Sequence, residues 1–126
     1  MEKKFINTQS APAPIGPYNQ AVLINGTLYI SGQVCIDPQT GSLKNRDIQD
    51  EMHQVMQNLK AILSEAGMTF SNVVKTTIFI TDMNQFSEIN EIYGKYFSGD
   101  FPARETVQVS ALPKFVNIEI SMIAAH

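Results

Sequence analysis

The spacing of apolar residues along this 126-residue chain switches between two periods, and each switch marks an element. Lys4 to Ile6 is a short candidate strand. Ala11-Pro12-Ala13-Pro14-Ile15-Gly16-Pro17 holds too much proline for a helix and predicts an ordered or extended loop ending at Tyr18-Asn19-Gln20. Two apolar runs follow, Ala21 to Ile24 and Thr27 to Ser31. Asn25-Gly26 separates them, and this dipeptide tolerates positive φ at both positions, as a two-residue type I′ hairpin turn requires. Gly32 to Gly41 reads as a loop with a turn at Asp37-Pro38.

From Asp47 to Ala66 the period changes to 3.6. Ile48, Met52, Val55, Met56, Leu59, Ile62 and Leu63 form one stripe, and Gly67 offers a left-handed C-cap. Ser71 to Ile80 is rich in β-branched residues and fits a strand buried on both faces. Asp82 then caps a second helix, with Gln85 completing a capping box. Phe86, Ile89, Tyr93 and Tyr96 form its inward stripe, and Gly99 ends it. Pro102 stops that helix, and a strand begins near Ala103, with Val107 and Val109 on one face and Arg104, Thr106 and Gln108 on the other. After a turn around Pro113-Lys114, Val116, Ile118, Ile120 and Met122 alternate with Asn117, Glu119 and Ser121 in a final strand.

The order β, β, β, α, β, α, β, β without repeat or linker predicts one α+β domain spanning 1–126, a mixed sheet with both helices on one face. With Val22, Leu28, Ile30 and Ile78 pointing to the helices, the other face carries Leu23, Tyr29 and Phe79. A sheet face that apolar calls for a cover, and no element remains to supply one, so a homo-oligomer is expected.

Composition narrows the function classes. The net charge is −3 and the nine basic residues are scattered, so no basic stripe is available for nucleic acid. The single Cys35 has no internal disulfide partner, and His53 and His126 make no metal-ligating cluster, so neither metal nor cofactor is expected. No apolar run approaches a membrane span and the first residues lack the pattern of a secretory signal, which points to the cytoplasm and away from membranes. His53 lies off the apolar stripe and reads as a solvated helix histidine.

Two residues stand out as chemistry. Arg104 sits at a strand mouth on the polar side, where a guanidinium can grip a carboxylate with two parallel hydrogen bonds. Glu119 is the only acid in its strand. As consecutive strands, those of Arg104 and Glu119 are expected to pair and to put both groups on the face away from the helices. Two readings fit: a structural one, with Glu119 a cross-strand partner of Arg104 or a solvated strand residue, or an anion grip beside a carboxylate that polarises water at a subunit seam.

Four stretches carry a resemblance. Gly16-Pro17-Tyr18-Asn19-Gln20-Ala21, Ile30-Ser31-Gly32-Gln33, Phe101-Pro102-Ala103-Arg104, and Leu112-Pro113-Lys114 through Ile118-Glu119-Ile120 resemble, in order and spacing, the Rid/YjgF family of enamine and imine deaminases. The resemblance covers essentially the whole chain. It implies a chorismate-mutase-like trimer around a central barrel with a cleft at each subunit interface, Arg104 holding the substrate carboxylate, Glu119 placing the attacking water and Tyr18 closing the cleft. Ser31, Gly32 and Asn90 match cleft-lining positions, and Thr106 stands where many relatives carry cysteine. Asn19 replaces a common serine, and Glu105 sits beside Arg104 where a small residue is usual. Hydrolysis of an imine needs no protein nucleophile, so Thr106 leaves the reading intact. The implied activity is hydrolysis of 2-imino and 2-enamino acids such as 2-aminoacrylate to 2-keto acids and ammonia. A module that binds 2-keto acids without turnover is the alternative. Glu119 discriminates between them, because a pure carboxylate sensor gains nothing from a second negative charge near its ligand.

Overall fold

In the computed structural model, which describes residues 2–126, six strands form one sheet in the order β1-β2-β3-β6-β4-β5. They are β1 (Lys4–Ile6), β2 (Ala21–Ile24), β3 (Thr27–Gln33), β4 (Val73–Ile80), β5 (Ala103–Gln108) and β6 (Ile118–Ala125); the helices are α1 (Ile48–Glu65) and α2 (Phe86–Gly94). All neighbours are antiparallel except β4 and β5. The β2–β3 turn has φ of 52° at Asn25 and 77° at Gly26, the left-handed pair that its sequence requires.

Asp47 caps α1, its side chain accepting from the Asp50 N–H at 2.8 Å, and Gly67 leaves the helix at φ 73°. The expected stripe from Ile48 to Leu63 is buried. It packs on Leu28, Ile30, Ile78, Ile80, Ile118, Ile120 and Met122, which are themselves almost wholly enclosed. Among the described residues no helix is long and apolar enough to cross a membrane.

Several expectations change. The second helix stops at Gly94, not Gly99, and starts at Phe86 after a short 3-10 turn, Met83–Gln85. Asp82 caps that turn by accepting from the Asn84 N–H, and Gln85 makes no capping bond. β4 begins at Val73 because Phe70–Asn72 form a 3-10 turn boxed by Thr69. It is buried on its helix side only: Val74 is exposed, and Lys75, Thr77 and Phe79 are half-buried. β6 begins at Ile118 rather than Val116.

The two sheet faces also differ from expectation. A two-residue turn sets Leu23 opposite Leu28 and Val22 opposite Tyr29. Cross-strand partners share a face, so Leu23 belongs to the helix side and Val22 to the open side. The open face still carries Phe5, Val22, Tyr29, Phe79, Val107 and Ile123, with Phe5 60% and Tyr29 50% exposed in the single chain.

Candidate active site

β4 lies between β5 and β6, so the strands of Arg104 and Glu119 do not pair. Arg104 and Thr106 stand opposite Thr76 and Ile78, both fully buried toward the helices, which puts Arg104 on the helix side. Glu119 stands opposite Phe79 on the open side. The expectation that both share the face away from the helices is therefore wrong, and so is the cross-strand ion pair. Each group belongs to a separate cavity.

The Glu119 cavity, of about 410 Å³, is lined by Tyr18, Ser31, Gly32 and Glu119, with Pro12, Ile15, Val34 and Pro113 among its apolar walls. A bulge in β3 opens it: three steps from Ile30 to Gln33 match two steps from Met122 to Ile120, so the extra residue falls at Ser31-Gly32. The Ser31 hydroxyl donates to the Asn19 carbonyl at 2.7 Å, and its N–H donates to the Gln20 carbonyl at 2.9 Å. Gly32 leaves room for the glutamate, since a Cβ there would lie 2.7 Å from Cδ of Glu119. Among the described residues no donor or cation pairs with the Glu119 carboxylate, and burial pushes its pKa above the ordinary carboxylate value. Tyr18 is half exposed at the rim, its hydroxyl accepting from the Ile15 N–H at 3.3 Å.

Three buried polar side chains that sequence reasoning passed over hold the segments that form this cavity. Gln20 donates to the carbonyls of Thr8, Ala11 and Pro12 and accepts from the Thr8 N–H at 2.7 Å, which ties down the proline-rich loop. Asn58 donates to the carbonyls of Val34 and Ile36, both at 3.0 Å, and so fixes the loop after β3. Glu51 accepts from the main-chain N–H groups of Asn117 and Ile118 at 2.7 and 2.9 Å and from the Asn117 amide at 2.8 Å. Those bonds take the N–H groups of the residues just before and at the start of β6, which is why the strand begins later than its alternation suggests.

The second cavity, of about 270 Å³, is lined by Asn90, Tyr93, Gly94, Phe101, Pro102 and Arg104. The Arg104 guanidinium lies 5.1 Å from the Tyr93 ring centre and 5.7 Å from that of Phe86, a shelf that supports a cation without neutralising it. Burial raises the Tyr93 pKa, and its hydroxyl donates to the Thr76 hydroxyl at 2.9 Å. The only ion pair among the described residues joins Lys75 to Glu105 at 2.6 Å, so Glu105 points away from Arg104 as strand alternation expects. Asn90 Oδ1 and Thr106 Oγ1 are buried without a partner on this side of the sheet. The structure thus groups Tyr18, Ser31, Gly32 and Glu119 at one cavity, and Asn90 and Arg104 at another with Thr106 on the same sheet side. His53 is exposed, its ring 2.5 Å from the Tyr96 hydroxyl, and Cys35 is buried with its thiol pushed up to about 11 by burial and by the Glu51 charge.

The family model described as Endoribonuclease L-PSP matches residues 8–126. This chain belongs to the Rid family. Among Rid proteins, the human 2-iminobutanoate/2-iminopropanoate deaminase is 48% identical over 122 residues, covering 97% of this chain and 89% of its own length. The crystal structure of the Rid protein YyfA from Yersinia pestis superposes with a TM-score of 0.96 at 52% identity, covering 99% of this chain and all of that one. That of Escherichia coli TdcF, which contains bound serine, superposes with a TM-score of 0.94 at 43% identity, covering 98% of each. The α+β fold expected from the sequence is the Rid fold.

Proposed function

We propose that this Rid protein hydrolyses 2-imino and 2-enamino acids, 2-aminoacrylate among them, to 2-keto acids and ammonia at a site completed between copies of the chain. One observation carries the reading: an arginine and a glutamate, each without a charged partner among the described residues, face two cavities on opposite sides of one sheet. A charge held half-buried and unpaired costs stability, which argues for a ligand. Assembly of three copies, with the apolar open faces turned to a central barrel, brings the Glu119 cavity of one copy against the Arg104 cavity of the next.

Arg104 holds the substrate carboxylate through its planar fork. Asn90 and Thr106 offer polar atoms on the same side, and Ser31, Gly32 and Tyr18 bound the reacting end from the other copy. Glu119 accepts a proton from a water as its oxygen bonds to the imine carbon, and delivers that proton to the nitrogen. Glu119 then takes the proton of the new hydroxyl and passes it to the amine, so that the C–N bond breaks, ammonia departs and the carbonyl forms. An enamine enters the same course after tautomerising to the imine. The deaminase name of the human relative and the bound serine of TdcF, an amino acid with the expected carboxylate, support this substrate class. Ribonuclease activity has less support, because a net charge of −3 and scattered basic residues suit a polyanion poorly.

The test is an assay of imine loss and keto-acid formation with and without the protein, beside Arg104→Ala and with the native mass measured by light scattering. Acceleration lost in Arg104→Ala, and a mass three times the chain's 14.0 kDa, are expected. Keto-acid binding without turnover by the wild type would favour the sensor, and an active monomer would refute the shared site.

A further inference from the structure

Glu51 is wholly enclosed in the protein interior, and among the described residues no cation pairs with its side chain. Burying such a group is costly unless it is hydrogen-bonded, and here three N–H groups converge on it. All three belong to Asn117 and Ile118, the residues that lead directly into Glu119. Asn117 is held from the far side as well, its carbonyl accepting from the Thr81 N–H at 3.1 Å. The turn that precedes Asn117 is anchored by Val116, which is buried in the core, and is strained just before it. Lys114 and Phe115 both sit in the left-handed region, with φ of 57° and 55°, and Phe115 is 88% exposed. Backbone strain of that kind persists only where neighbouring contacts fix the chain. The clamp from α1 therefore sets where β6 starts, and two further features turn that start into a carboxylate position. Glu119 is in register with Phe79, and its side chain crosses onto Gly32 with no hydrogen bond among the described residues.

We infer that Glu51 is a positioning residue for Glu119, acting through the main chain of Asn117 and Ile118. The inference rests on the deaminase reading for its kinetic test and on geometry alone for its spectroscopic one. Glu51 touches no reacting atom. What it supplies is the acceptor fork rather than its charge, since a glutamine has one oxygen for both main-chain N–H groups and an amide that can meet the Asn117 side chain once that amide turns over.

The experiment compares Glu51→Ala, Glu51→Asp and Glu51→Gln with the wild type, and repeats Glu51→Ala in a Glu119→Gln background. Loss of the fork is expected to lower kcat per folded molecule by about ten- to a hundred-fold, the range for a carboxylate displaced by about 1 Å, with KM little changed. Glu51→Asp, one methylene too short, behaves likewise and serves if Glu51→Ala does not fold. Glu51→Gln restores kcat to within a few-fold. In the Glu119→Gln background the Glu51 change should cost nothing further, because its effect passes through a carboxylate already gone. Additive losses, or wild-type kcat in both truncated variants, would overturn the inference. If the wild type itself does not turn over imines, the deaminase reading fails, and amide exchange at Ile118 with the Glu119 side-chain carboxyl resonance decides this one. Both must change in the truncated variants and recover in Glu51→Gln; unchanged signals refute the positioning role.

Discussion

Replacing Gly32 by alanine tests the site with the smallest addition possible, one methyl group. The glycine is not in the left-handed region, so its need is space rather than backbone freedom. An added Cβ would lie 2.7 Å from Cδ and 3.0 Å from Cγ of Glu119, closer than nonbonded carbons approach. The obstacle is the far end of a flexible side chain, so the glutamate yields before the strand does. Pushing it off its preferred rotamer costs about 0.5–1.5 kcal/mol, which for a chain of this size lowers Tm by only a few degrees. The carboxylate, however, must move by about an ångström, and a displacement of that order at the reacting centre costs about a hundred-fold in rate. The expected result is a folded protein with its native mass, a small loss in Tm and a fall in kcat on 2-iminopropanoate approaching that of Glu119→Gln. Binding of pyruvate, which reports the Arg104 half, should be little affected. Wild-type kcat in Gly32→Ala would refute the placement of the chemistry at Glu119, and a collapse of Tm would show that the bulge cannot absorb the strain as argued.

Other perturbations separate the remaining roles. Arg104→Lys keeps the charge but loses the bidentate fork, so activity should fall about ten- to a hundred-fold, equivalent to about 1.5–3 kcal/mol, at unchanged Tm; near-normal activity would make the arginine structural. Between the ordinary carboxylate pKa and its raised folded value, Glu119 holds a proton in the folded state that the unfolded chain has released. Stability therefore falls as pH rises through that window, and Glu119→Gln should melt higher than the wild type at neutral pH, with the gap closing below the ordinary pKa; a lower Tm for the variant would refute this. With its thiol pushed up to about 11, Cys35 is ionised in about one molecule in ten thousand at pH 7. It should resist a thiol reagent until the protein unfolds, and Cys35→Ser should retain activity while losing about 1–3 kcal/mol of stability for its buried hydroxyl; abolished turnover in a folded variant would mean the chemistry is misplaced.

What the sequence revealed depended on whether the determining interaction was local. The Asn25-Gly26 hairpin and α1 were legible because turn chemistry, cap and period lie within a few residues of one another. The opposite faces of Arg104 and Glu119 were not, since nothing in β5 or β6 states that β4 runs between them. The Leu23 and Val22 exchange was readable in principle: a two-residue turn after Ile24 already fixes which residues face each other. Glu51 and Asn58 also left a signal. Both fall on the buried stripe of α1, three residues after Ile48 and Val55 respectively, where a polar residue must find partners. Their partners, on β6 and on the loop after β3, could come only from the fold.

With Arg104 and Glu119 on opposite faces of the sheet, activity in the proposed assembly belongs to neighbours rather than to individuals. A chain broken at Arg104 still lends an intact glutamate, and a chain broken at Glu119 still lends an intact arginine. In rings of three drawn at random from equal amounts of the two, about one site in four is whole. Two inert preparations, unfolded together and reassembled, would then recover about a quarter of normal turnover. An organism inheriting one defect of each kind would be partly protected by their combination, and one inheriting a single defect twice would not.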